Sequence, residues 1–234
     1  MIKGVLLDSG RVLNYSSSGH WFITPNFFNY IDKLSFDKLS KKQVKDAFLM
    51  GLKYIDKQRV ILDKEVEYKH FVKCYRIFLD ELPMLKTDNL QAEHLAKDLV
   101  YNPKKYVFYD DAKPLLEVIK NDYKLAVVSD AWPSLRDVFI EADCYKYFDS
   151  FVISSEIGVC KPNAMMYCQA MTDLELKTEE VVFVDDRPKN CQGALNLGIK
   201  SYLLCRHWSN YIIYKLKYRQ FSVIKNLKQL QKEL

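Results

Sequence analysis

Four acidic side chains, a serine and a lysine stand where short apolar runs of this sequence have just ended. Asp8 follows Lys3–Leu7 (KGVLL), Ser129 and Asp130 follow Leu125–Val128 (LAVV), and Asp185 and Asp186 follow Val181–Val184 (VVFV). Lys161 comes after the run Phe151–Ile153 and a loop through Gly158. Asp8, Asp185 and Asp186 gathered in one crevice repel one another unless a cation is present. Mg²⁺ answers that need. It prefers oxygen ligands near octahedral geometry, keeps several waters, and commonly takes one or two carboxylates plus a substrate phosphate. The Ser129 hydroxyl can donate to phosphate oxygens. Lys161 binds phosphate as a compact point charge and favours the ionised form of Asp8. Asp8 can then attack phosphorus and form an aspartyl-phosphate that water hydrolyses. Phosphoryl transfer asks mainly for such positioning and charge stabilisation.

Taken singly, each residue also has a structural use. Asp-Ser-Gly is ordinary turn chemistry, and Ser129 or Asp130 can cap a helix opening near Pro133. Lys161-Pro162-Asn163 can be a helix entry, and Asp185 and Asp186 can complement a helix N-terminus. Their joint occurrence, in this order and at strand ends, is what points to a phosphate site.

The elements that must position them alternate. Apolar runs ending in polar loops read as buried parallel strands, and Ser201–Leu204 is a fifth, ending near Cys205 and Arg206. Helical patterns lie between them. Ala112–Asn121 has Asp110 or Asp111 as cap, Pro133–Ala142 opens on Pro, and Met165–Met171 follows. Asn190–Leu197 closes on Gly198. Alternating strands and helices predict an α/β fold, a parallel sheet with helices on both faces. Between Asn14 and about Asn102 the pattern is helical, with no strand expected. Val44, Phe48, Gly51 and Ile55 follow one stripe; Phe71, Tyr75, Phe78 and Leu82 follow another; Leu95 and Leu99 suggest a third. These aromatics are expected to be helix–helix core. The division expected is a core of residues 1–14 and 103–234, interrupted by a helical unit of residues 15–102.

The 234 residues are enough to bury a full core. The formal charge of +5 is spread along the chain as solvated surface. Its densest run, Lys215–Gln220 (KLKYRQ), is assigned to a C-terminal helix and is not laid out as a nucleic-acid face. Six cysteines form no CxxC pair and no metal pattern with histidine, so free thiols in a reducing compartment are expected. No apolar run approaches membrane-spanning length, and the N-terminal one is too short for a secretory signal. The expected protein is cytoplasmic, a monomer or homodimer, acting on a small phosphorylated metabolite and not on nucleic acid or membrane.

VLLDSGRVL, LAVVSD, GVCKPN and VVFVDDRPKNCQGALNLG together resemble the four motifs of the haloacid dehalogenase-like hydrolase superfamily, across nearly the whole chain. The resemblance implies a Rossmann-like core with an inserted helical cap. It implies Asp8 as nucleophile and Mg²⁺ ligand, the Gly10 carbonyl as a second ligand, Asp186 as the main acidic ligand of the fourth motif, and Asp185 in support. It implies Asn190 in the outer shell and Ser129 and Lys161 binding the phosphoryl group, with Asp130 a candidate for contact with the substrate. Most phosphatases of the superfamily carry an acid two residues after the nucleophile; here Gly10 stands there. The DxGxV version resembles a sugar-phosphate phosphatase branch, including α-glucose-1-phosphatase-like proteins. His20 and Arg11 are candidates for contact with the substrate, and Trp21 for lining the crevice. Two other readings stay open. One is haloacid dehalogenation, against which the Asp185–Asp186 pair argues; the other is a binding protein with weakened turnover, given Gly10.

Overall fold

The computed structural model describes residues 1–58 and 60–234, which divide into two compact units. The first comprises Met1–Tyr15, Val107–Ala131 and Phe139–Leu234; the second comprises Ser16–Tyr106 with Trp132–Val138. The strands are β1 (Gly4–Leu7), β2 (Asn14–Ser16), β3 (Tyr106–Phe108), β4 (Lys124–Ser129), β5 (Ser150–Ile153), β6 (Val181–Asp185), β7 (Lys200–Leu204) and β8 (Ser222–Ile224). The helices in chain order are α1 (Phe27–Tyr30), α2 (Lys33–Phe36), α3 (Lys41–Ile55), α4 (Lys64–Asp80), α5 (Asn89–Tyr101), α6 (Ala112–Ile119), α7 (Leu135–Glu141), α8 (Ser154–Ile157), α9 (Ala164–Leu174), α10 (Pro188–Asn196), α11 (Trp208–Lys217) and α12 (Leu227–Glu233).

The first unit is α/β. Its six-stranded sheet runs in the order β5-β4-β1-β6-β7-β8, with each neighbouring pair parallel. The strand residues alternate between faces. Leu6, Ala126, Val128, Val152 and Phe183 pack with Met166, Tyr167, Ala170 and Leu174 of α9 and with Ala194 of α10. Their alternates Val5, Leu7, Leu125, Val127, Val182 and Val184 are equally inaccessible to solvent. Both faces are therefore covered, as a Rossmann-like parallel sheet requires. The chain moves outward from β1 through β4 to β5, then returns to the other side of β1 for β6. That reversal opens a crevice at the carboxyl ends of the central strands.

Several element boundaries differ from the sequence expectation. β8 was not expected; Ser222–Ile224 pairs with Tyr202–Leu204. The helix then starts afresh at Leu227, where Asn226 accepts a hydrogen bond from the Gln229 amide. The basic run 215–220 is only half helical, since α11 ends at Lys217. Strand β2 falls where only helix was expected and pairs with β3. Asp111 precedes α6 without capping it; its carboxylate is taken by Arg206 and by the Leu227 amide.

The second unit is a helical bundle. Ser40 with Gln43, and Asp88 with Gln91, form capping boxes that start α3 and α5, and Asp63 caps α4. The expected stripes meet in one core, where Phe48 and Phe78 stack with centroids 4.0 Å apart. Gly51 lets α3 lie close on α4; a Cβ there would meet the Cys74 carbonyl at 2.7 Å. Trp132–Val138 joins this unit through a buried polar network. Lys105 donates to the Leu99 carbonyl and to Ser134 Oγ, each at 2.6 Å, and Glu67 accepts from the Ser134 amide and hydroxyl. Among the described residues no helix is long and apolar enough to cross a membrane.

Candidate active site

Three adjacent strands deliver the chemistry. Asp8 follows β1 directly, Ser129 ends β4 and Asp185 ends β6. Their order in the sheet, β4-β1-β6, sets the nucleophile candidate in the middle. Lys161 arrives from the loop after α8. That loop is held by Asp130, whose Oδ1 accepts from the Lys161 amide at 2.8 Å. One oxygen of Asp130 is therefore committed to backbone rather than open to a substrate.

The lysine ammonium spends all three donors inside the protein. Nζ lies 2.6 Å from Asp8 Oδ1, 2.8 Å from Asp185 Oδ2 and 2.8 Å from the Val128 carbonyl. Its side chain is 1% exposed, so the interactions are scarcely screened. Burial alone pulls the Lys161 pKa down, but Asp8, Asp185 and Asp130 together more than offset this and hold it charged. For Asp8 the balance runs the other way. Burial raises its pKa, Lys161 lowers it and Asp185 raises it again, and the net result is pushed up to about 7.

Asp8, Asp185 and Asp186 each offer an oxygen within 4.8 Å of the others, the only such group found among the described residues. The three are not equivalent. Asp185 is fully buried and committed: Oδ1 accepts from the Arg187 amide, and Oδ2 accepts from Lys161 and Asn190. Asp186 is more open, with its side chain 19% exposed and a 3.6 Å ion pair to Arg11 as its contact among the described residues. Burial first, and then Asp185, raise its pKa. The loop after Asp8 adds a neutral donor atom. Leu13 and Asn14 amides donate to the Ser9 carbonyl, the Arg11 amide to Asn14, and the Tyr109 amide to Leu13. Arg206 donates to the Arg11 and Val12 carbonyls. Among the described residues, the Gly10 carbonyl is left without a donor. Asp8, Asp185 and Asp186 bring carboxylate oxygens together, the donor type that a hard cation such as Mg²⁺ takes. Buried Ser129 has no side-chain partner among the described residues, which leaves its hydroxyl for a ligand.

The expected substrate contacts divide. Arg11 sits beside Asp186 with its side chain 58% exposed and a backbone φ of 62°, a left-handed conformation costing a non-glycine residue roughly 1–2 kcal/mol. His20 belongs to the helical unit, where its ring lies 4.8 Å from that of Phe48 and burial lowers its pKa. Trp21 belongs there too, edge-on to Tyr106.

A family profile described as haloacid dehalogenase-like hydrolase matches residues 71–204, more than half of the chain. The protein belongs to this family. Among relatives of this hydrolase, a glyceraldehyde 3-phosphate phosphatase of Methanocaldococcus jannaschii is 26% identical, over 98% of this chain and 100% of the relative. One from Methanothermobacter thermautotrophicus is also 26% identical, over 87% and 86% of the two chains. A solved phosphatase of the family from Thermococcus onnurineus superimposes with a TM-score of 0.67 at 20% identity, covering 99% of this chain and 97% of that one. At that identity the superposition speaks to the fold alone.

Two features of this hydrolase escaped sequence reasoning. Arg206 is the second residue after β7, and the sequence reading placed it only near the end of that run; nothing in its local sequence marks it as a partner of residues 11 and 12. Gly193 looks like a helix filler, yet a Cβ there would meet Pro162 Cβ at 2.5 Å, the Pro162 carbonyl at 3.0 Å and the Tyr167 hydroxyl at 3.0 Å. Alanine gains up to about 1 kcal/mol of helix propensity over glycine, while overpacking costs roughly 1–3 kcal/mol. The neighbour is backbone beside Lys161, so the clash wins. Gly193→Ala is expected to lower stability by about 1–2 kcal/mol in urea unfolding and to reduce turnover by displacing Lys161. A variant as stable and active as the parent would show that the Lys161 loop yields freely.

Proposed function

We propose that the protein is a Mg²⁺-dependent phosphatase that hydrolyses a small phosphorylated metabolite, a sugar phosphate of the glyceraldehyde-3-phosphate kind, through an aspartyl-phosphate on Asp8. The observation that carries this reading is Lys161 Nζ held between Asp8 and Asp185 beside an open Asp186 and a free Gly10 carbonyl. The names of the full-length relatives support the substrate class. Asp8, Asp186 and the Gly10 carbonyl would hold Mg²⁺, which supplies charge neutralisation for the incoming phosphoryl group.

This chain's own groups do the rest. Asp185 fixes Lys161 rather than spending its oxygens on the ion, and Asn190 and the Arg187 amide fix Asp185. The Ser129 hydroxyl donates to the phosphoryl oxygens, while Lys161, its donors committed to Asp8, Asp185 and the Val128 carbonyl, acts through its charge and favours ionised Asp8 as the attacking carboxylate. The Asp8–phosphorus bond forms as the ester oxygen leaves with its electron pair and takes a proton from solvent; water then attacks phosphorus and gives a proton back to solvent, and the Asp8–phosphorus bond breaks to release inorganic phosphate and restore the carboxylate. The unit of Ser16–Tyr106 and Trp132–Val138 acts as the cap. The protein works as a soluble cytoplasmic enzyme, a monomer or homodimer.

The test is phosphate release from a panel of phosphorylated metabolites with Mg²⁺ and with excess chelator. Release from three-carbon and other sugar phosphates is expected with the metal. Chelation is expected to lower it by about 10²-fold or more, since metal-borne charge stabilisation is worth several kcal/mol. Equal rates under chelation would remove the metal from the reading, and no release from any ester would remove the phosphatase.

A further inference from the structure

The loop from Ser9 to Asn14 carries both the backbone next to Asp8 and the free Gly10 carbonyl, and it is not held by its own hydrogen bonds alone. Arg206, the second residue after β7, reaches it from the neighbouring strand end. Its Nη2 donates to the Val12 carbonyl at 2.7 Å and its Nε to the Arg11 carbonyl at 3.3 Å. The same guanidinium is clamped from the far side by both oxygens of Asp111, at 2.9 and 3.1 Å. It also lies 3.7 Å over the ring of Tyr109, whose own amide donates to Leu13. Asp111 in turn accepts from the Leu227 amide at the start of α12.

Such a planar fork, forming bidentate and stacking contacts at once, is what arginine supplies and lysine does not. With the carbonyls of residues 11 and 12 met by Arg206, that of residue 10 is left without a donor among the described residues. We propose that Arg206, oriented by Asp111 and Tyr109, is a positioning residue that fixes the Asp8–Asn14 loop, and through it the direction of the Gly10 carbonyl and the Asp8 carboxylate. The consequence for turnover rests on the phosphatase reading; the consequence for the loop does not.

Two measurements separate these. Hydrogen–deuterium exchange of a peptide spanning residues 9–14 is expected to speed up by about tenfold in both Arg206→Ala and Arg206→Lys, with β4 and β6 still protected. In the same proteins kcat for the best ester is expected to fall about 10–100-fold, the scale of a small misplacement of reacting groups, with KM nearly unchanged. Millimolar guanidinium chloride, far below denaturing levels, is expected to restore part of the kcat of Arg206→Ala and none of that of Arg206→Lys. A purely structural defect would not be repaired by a denaturant. Unchanged loop exchange, or an Arg206→Lys variant with wild-type kcat, would overturn the proposal. If the wild type releases no phosphate while loop exchange responds as expected, the loop assignment stands and the phosphatase reading falls. Should Arg206→Ala fail to fold, Arg206→Lys and Asp111→Asn carry the same exchange test.

Discussion

Replacing Asp8 with asparagine is expected to abolish phosphate release, by at least about 10⁴-fold, the scale on which loss of a catalytic nucleophile is felt. The substitution is nearly isosteric, so the cause would be chemical. An amide oxygen carries no charge with which to attack phosphorus and makes a poorer ligand for a hard cation. The fold should tolerate the change. The Asp8 pKa is pushed up to about 7, with burial the largest cause, so its ionised form is costly in place. Lys161 keeps Asp185 Oδ2 and the Val128 carbonyl as acceptors. Urea unfolding of Asp8→Asn should therefore fall within about 1 kcal/mol of wild type, as is common where a site trades stability for function. Steady-state release and unfolding, measured on the same preparations, decide it. Retained release would show that Asp8 is not the nucleophile.

Lys161→Met is expected to have the largest effect on stability. It removes the one cation buried against Asp8 and Asp185 and leaves two carboxylates facing each other without it. Breaking a buried ion pair from one side typically costs about 3–5 kcal/mol, which for a chain of this size lowers Tm by on the order of 10 °C. The loss should grow with pH in chelated, metal-free protein. Without Lys161 the native Asp8 pKa rises further above its unfolded value of about 3.9. The native state then binds more protons than the unfolded state across that window, so stability falls as pH rises through it. Comparing urea midpoints at pH 6 and pH 8 tests the sign. A variant equally stable at both would show that the carboxylates do not share the lysine. Added Mg²⁺ is expected to recover part of the loss, because an ion bound only by the native state stabilises it by mass action.

How far the sequence reached depends on which forces were local. The apolar runs ending in Asp8, Ser129 and Asp185 were legible because a strand buried on both faces has to be continuously apolar, and its last residue must meet polar groups. The helical stripes of Phe48, Gly51 and Ile55, and of Phe71, Tyr75 and Phe78, were legible for the same reason at a period of 3.6. Gly198, at φ 85°, ended α10 as its freedom from a Cβ allows. Strand β8 was not legible. Three residues carry too little pattern, and only the open edge of β7 makes Ser222–Ile224 extended. The presence of Trp132–Val138 in the helical unit was hidden as well, because its tie is the Glu67–Ser134–Lys105 network between residues far apart in the chain.

The sequence by itself determined the residue types of the site and their places at the ends of apolar runs. Only the tertiary structure decided their division of labour. Asp185 and Asp186 are neighbours of the same type, and nothing in the string separates them. Successive residues at a strand end point in different directions, so one carboxylate is buried against Lys161, Asn190 and the Arg187 amide while the other faces the open side. The same holds for Arg206, 195 and 194 positions from Arg11 and Val12 in the chain, whose contact with their carbonyls only the fold brings about.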